Sequence, residues 1–184
     1  ILMTIIIRII ILPLGIKQAR SSLIMNEIQP EVKKLQEKYK KDPQKAQQEM
    51  MKLYKEKGAS PFSGCLPLLI QWPLLIALYY VFNNLSGING VSFLWINDLA
   101  KTDIFLAILS GITTFLSGYL MMSGNSEQAK QASKMNIGMS IFMVYMSIKF
   151  KAALVLYWVV SNLIQIAQTV ILKKIEMKKG TIKA

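Results

Sequence analysis

The 184-residue chain is 53% hydrophobic, with a positive mean hydropathy of +0.37, 22 Lys+Arg against 10 Asp+Glu and no histidine. Imidazole catalysis and histidine-held metals are thereby excluded, and with Cys65 alone there is no intrachain disulfide. Several apolar runs of about 20 residues exclude an ordinary soluble domain and bring the basic excess first under the positive-inside rule.

The chain opens at Ile1, inside an apolar stretch, so a preceding segment is expected. Residues 1–16 read as a first membrane span ending at Pro13-Leu14-Gly15. It holds the stretch TIIIRIII, in which Arg8 sits between two isoleucine-rich runs. A cation at mid-span costs about 2.5–3.5 kcal/mol on insertion scales, so Arg8 must be held by a partner or face water. Residues 17–60 follow as a polar block with 11 Lys+Arg and 6 Asp+Glu. Ile28, Val32, Leu35 and Tyr39 fall on one helical face, and Ala46, Met50 and Leu53 repeat that spacing. Between the stripes, Asp42-Pro43 forms an N-cap and first-position pair, and Gly58 suits a C-terminal cap. The block therefore reads as an antiparallel helical hairpin outside the bilayer, either a solvated spacer or a docking or gating element.

Four more spans are predicted within residues 61–172, at about 62–82, 104–122, 131–148 and 152–172. Pro67 and Pro73 should kink the first of these, and Cys65 reads as a buried spectator thiol. The connection over residues 83–103 is polar and glycine-bearing, with Phe93 and Trp95 suited to an interface. The run from Met135 to Ile148 is short and reaches spanning length only by beginning near Gln131. Residues 173–184 make a basic tail with five Lys and one Glu. The hairpin, the loop after the third span and the tail carry every basic residue except Arg8, Lys101, Lys149 and Lys151. That asymmetry puts their side in the cytoplasm, with the N-terminus outside and the C-terminus inside. No internal repeat is evident, which counts against inverted-repeat transporters.

The spans carry polar residues in helical register. In the last span these are Trp158, Asn162, Gln165 and Thr169, flanked by Ser161 and Gln168. The fourth has Asn136, Ser140 and Ser147, the third Ser110, Thr113, Thr114 and Ser117, the first Thr4 and Arg8, and the second Gln71. Any one stripe is explained by hydrogen bonds between packed membrane helices. No acidic residue lies in a predicted span to pair with Arg8. A dry bundle in which Asn and Gln oxygens satisfy Arg8 is one solution. A hydrated cavity lined by the first, third, fourth and fifth spans is the other. Its candidate substrate-binding residues are Arg8, Thr4, Gln71, Thr114, Ser117, Asn136, Ser140, Trp158, Asn162 and Gln165. The external half of the last span, Ala152 to Tyr157, is apolar, which argues for a groove blind on the outside. A continuous polar path would instead mean an anion-selective channel or carrier, and a purely structural subunit would have no use for the arginine. No nucleophile–base pair, phosphate loop or ionisable relay is seen, so no catalysis, cofactor or metal is expected.

These residues resemble the YidC family of membrane protein insertases in its short, five-span, Gram-positive-like form. The resemblance rests on TIIIRIIILPL with the charged EIQPEVKKLQEKY after it, on SPFSGCLPLLIQWPLLIALYYVF and on LVLYWVVSNLIQIAQ. It covers nearly the whole chain in matching order, and departs at IKFKAA, where many members carry Pro and Gly. It implies an all-α membrane protein in which five helices enclose a hydrophilic groove open to cytoplasm and lipid, with a cytoplasmic two-helix hairpin. It implies insertion of nascent membrane proteins into a bacterial plasma membrane, alone or beside the Sec translocon. By motif, Arg8 matches the groove arginine, and Thr4 and Trp158 match positions that contact substrate. The hairpin matches a mobile cytoplasmic region and the tail a segment that contacts the ribosome. Hairpin and tail are also expected on anionic lipid, and the protein is expected to act as a monomer.

Overall fold

The isoleucine-rich start of the chain passes without a break into the basic segment that follows it. In the computed structural model, residues 2–60, 66–84, 86–121 and 127–178 are described. They form helices α1 (Leu2–Glu27), α2 (Gln29–Lys38), α3 (Pro43–Glu56), α4 (Leu66–Asn84), α5 (Ile104–Met121), α6 (Glu127–Ser147) and α7 (Ala152–Lys178). Among the described residues the only extended pairing is an isolated bridge between Phe93 and Ile96. This is an all-α membrane protein.

The end expected at Pro13 is not an end: α1 runs through Pro13, Lys17 and Arg20 to Glu27. Proline removes one backbone hydrogen bond, and neighbouring helices hold the rest of a membrane helix together. The break falls instead at Ile28, and Pro30 opens α2. The hairpin proper is α2 and α3. Val32 is fully buried there with Ile28, Tyr54 and Ala59. Asp42 caps α3 by accepting the Lys45 N–H at 3.1 Å. Gly58 takes φ +69° beyond its C-terminus, a conformation open to glycine at little cost.

In the bundle, α5 packs chiefly on α6 and α7, and α7 also meets α1 and α4. Small residues bring α5 and α6 close. A Cβ on Gly118 would strike the Asn136 amide, and one on Gly111 the Val144 side chain. Ser110 and Ser147 join hydroxyls across this seam at 2.8 Å. Helices α1 and α7 run parallel: Arg8 bonds Gln165, and further along Arg20 pairs with Glu176 at 3.5 Å. The hairpin and the C-terminal end of α7 therefore share one end of the bundle. Asn26 Nδ2 donates to the Met121 carbonyl at 2.8 Å and brings the end of α5 there too.

The opposite end is closed by the loop before α5. The Ala152 N–H donates to Lys101 O at 2.7 Å and the Ala153 N–H to Leu99 O at 3.0 Å. The loop itself is pinned by Asp98, which accepts the N–H of Ala100 at 2.9 Å and of Gly90 at 3.1 Å. These bonds, that from Ala100 first, hold the Asp98 carboxyl below the usual carboxylate range.

By length and composition α1, α5 and α7 suffice to cross a membrane, and α4 adds a shorter apolar stretch, Gln71–Phe82. Helix α6 begins earlier than residue 131, at Glu127, but its added turn carries Glu127 and Lys130. Helix α7 extends past residue 172 to Lys178, so half of the predicted tail is helical. Residues 179–184 and Cys65 lie outside the described residues.

Candidate functional site

Helix α7 lies between α1 and α5, and its polar residues divide between these neighbours. Toward α5, Trp158 Nε1 donates to Thr114 Oγ1 at 2.9 Å. Asn162 Nδ2 reaches the same oxygen at 3.0 Å and Thr113 Oγ1 at 3.3 Å. Ser117 is half-buried one turn further along α5. Toward α1, Arg8 Nη1 donates to Gln165 Oε1 at 3.1 Å. Thr4 is buried one turn before Arg8 and lines a small cavity of about 130 Å³ with Met3, Phe82, Ala153, Leu156, Tyr157 and Val160. Gln71 reaches α7 from the other side, donating to the Tyr157 hydroxyl at 3.3 Å.

The α1–α7 seam is rich in polar atoms that lack partners. Arg8 Nε, Gln18 Nε2, Ser161 Oγ, Gln165 Nε2 and Gln168 Nε2 are all buried and make no hydrogen bond among the described residues. Left dry, each such group costs roughly 1–3 kcal/mol. Five together would rival the roughly 5–15 kcal/mol that holds a whole domain folded. Thr4, Arg8, Gly15, Gln18 and Ser22 follow helical spacing along one face of α1. At Gly15 the helices come so close that a Cβ would lie 2.9 Å from Gln168 Nε2.

Two predicted groove residues sit elsewhere. Asn136 Nδ2 donates to the Phe115 carbonyl at 3.1 Å and packs on Gly118. Ser140 is buried and donates to the Asn136 carbonyl at 2.8 Å. Their described contacts are with α5 and α6, so they serve that seam and stand apart from Arg8. Gly111 and Gly118 on α5 let α6 approach closely at these residues.

The family model described as 60Kd inner membrane protein matches residues 1–180. The chain is 60% identical to the membrane protein insertase YidC of Clostridium tetani, over 97% of this chain and 81% of that one. The chain belongs to the YidC family. It is also 47% identical to the membrane protein insertase MisCA of Bacillus subtilis, over 98% of this chain and 71% of that one. Among solved structures, a crystal structure of an active YidC insertase with its first transmembrane domain resolved superposes with a TM-score of 0.67 at 30% identity. The match covers 91% of this chain and 40% of the crystallised one. Membrane protein insertion is thus the function of this chain, and it is a bacterial membrane protein.

Gln18 joins the α1–α7 seam although its sequence placed it in the hydrophilic block. The misplaced end at Pro13 hid it. Its spacing from Thr4 and Arg8 was the available signal, once Pro13 is allowed inside a helix. Tyr157 was counted as apolar, yet its hydroxyl is the acceptor for Gln71. Among the described residues no three His, Cys, Asp or Glu side chains converge to hold a metal ion.

Proposed function

We propose that the α1–α7 seam is a hydrated groove that receives the polar part of a nascent membrane protein. The observation that carries this is the row of buried polar atoms from Arg8 Nε to Gln168 Nε2 that make no hydrogen bond among the described residues. Water or a polar peptide segment would satisfy them, at far lower cost than a dry bundle. Arg8 supplies attraction. Opposite unit charges about 4 Å apart gain roughly 1 kcal/mol in water and about 4 kcal/mol at an effective dielectric of 20. A half-hydrated groove lies between these limits, so an acidic terminal tail would be gripped and still released. The client's apolar stretch then moves into lipid, and its burial drives the step without a nucleotide.

The groove is blind. In the N-terminal half of α7, Val155 and Val159 pack against Ile96 and Leu106 on one flank, and Leu154 and Tyr157 pack against Leu78 on the other. This favours an insertase groove over a channel. The orientation with hairpin and tail in the cytoplasm is supported by their shared end of the bundle and their lysines. The α4 and α6 helices complete five spans in this reading, with Thr4, Trp158, Asn162 and Ser117 as groove wall. Ribosome, Sec translocon and anionic lipid are proposed as partners of the basic hairpin and tail, which present phosphate-binding charge.

The test is insertion into liposomes of a single-span client with an acidic N-terminal tail. Arg8→Ala should slow insertion about tenfold or more, with Arg8→Lys between it and the unchanged protein. Equal rates for Arg8→Ala and the unchanged protein, both folded, would sink the charged-groove mechanism.

A further inference from the structure

The three lysines that defy the charge asymmetry, Lys101, Lys149 and Lys151, come from two separate loops, yet they line one cavity. It measures about 520 Å³ and lies at the end of the bundle away from the hairpin. Thr102 adds a hydroxyl to the wall, and Tyr79, Phe82 and Phe150 make it aromatic. Tyr79 and Phe150 meet edge to face at 5.8 Å, and Tyr79 is exposed on the outer side of α4. The cavity is thus basic at its loop side and apolar at its α4 side.

The charge there is poorly balanced. Lys101 touches Asp98 only at 3.8 Å, with its side chain 80% exposed. The Asp98 carboxylate is already engaged by two backbone N–H groups. Asp103, the next carboxylate, accepts the Leu106 N–H at 2.6 Å and caps α5. Lys151 donates to the Phe82 carbonyl at 3.0 Å and ties α4 to the α6–α7 turn. Lys101 and Lys149 are exposed.

We propose that this cavity binds the phosphate headgroup of an anionic lipid in the outer leaflet, its acyl chains running down the exposed face of α4. An ammonium pair beside a hydroxyl suits a phosphodiester, and aromatic rings beside it suit the headgroup boundary, where amphipathic rings settle. A soluble phosphate would use the lysines and leave the apolar side of the cavity bare, so the lipid fits the whole cavity better. The bound lipid would brace α4 and the α6–α7 turn on the closed side of the groove. The proposal rests on the orientation given above, but binding measured in detergent depends neither on orientation nor on insertion, so its failure would leave the groove reading intact.

The experiment is lysine acylation of the full chain in neutral detergent, mapped residue by residue by mass spectrometry. Phosphatidylglycerol, phosphatidylcholine, inorganic phosphate or a soluble acidic peptide is added in parallel samples. Phosphatidylglycerol should slow acylation of Lys101 and Lys149 several-fold, and the other three should not. Lys101→Gln should weaken the lipid protection of Lys149 about fivefold, and Lys101→Arg should restore it. Equal protection by phosphatidylcholine or by inorganic phosphate overturns the proposal. So does protection by the acidic peptide alone, or protection of Lys149 indifferent to Lys101→Gln in a protein of unchanged melting temperature.

Discussion

The two halves of α7 are built to opposite rules within one helix. From Ala152 to Val159 nearly every side chain is buried, and the neighbours are Leu106, Ile96, Leu78 and Phe150. From Ser161 to Thr169 the helix turns polar groups toward α1 and α5, and three of those groups have buried atoms with no hydrogen-bond partner among the described residues. In the first half, among the described residues, no buried side-chain polar atom lacks a hydrogen-bond partner. A half with unsatisfied polar atoms is tolerable only if something polar enters. In the proposed reading, this contrast leaves the groove sealed on one side and receptive on the other.

Altering each half should have a different consequence. The largest effect is expected in the sealed half. Leu106→Ala, at a fully buried site, should lower stability by about 2–5 kcal/mol. Thermal unfolding in detergent would register it, and proteoliposomes should become leaky to small ions. If the bundle keeps its melting temperature, the sealed half is not a packed plug.

In the open half the expectation reverses. Gln168→Leu removes a half-buried amide whose buried nitrogen has no partner among the described residues. In a dry seam that exchange would stabilise by roughly 1–3 kcal/mol. In a wet seam it should leave the melting temperature nearly unchanged and slow client insertion, which the liposome assay reads directly. A clear gain in stability with full activity would mean that the seam is dry.

The smallest effect is expected in the hairpin, away from both halves. Asp42→Ala removes the cap on α3 and should cost about 1 kcal/mol of local stability. Hydrogen exchange of α3 should quicken while that of α7 does not change. Faster exchange in α7 as well would mean that hairpin and bundle unfold as one.

The same contrast separates what was legible in the sequence from what was not. Apolar runs and helical stripes disclosed the helices, the hairpin, the Asp42 cap and the polar face from Trp158 onward, because these are local patterns. The pairing of Arg8 with Gln165 was not legible, since it joins residues 157 positions apart. Nor was the destination of Asn136 and Ser140. Their stripe looks like that of Asn162 and Gln165, and only the glycines on α5 decide that it faces a close helix seam. Pro13 and Gly15 imitated a helix end. In lipid, where no water competes for the backbone, the helix went on.

The central claim is the wet half beside the sealed half, and thiol accessibility tests it most directly. Cys65 is the sole native cysteine, so Cys65→Ser gives a blank background. Gln165→Cys, Gln168→Cys, Val155→Cys and Val159→Cys would each be exposed, in membrane vesicles, to a charged, membrane-impermeant thiol reagent on the hairpin side. The account predicts fast modification at the two glutamine positions and protection at the two valine positions. Protection at all four, or modification extending evenly to Val155→Cys, would contradict it.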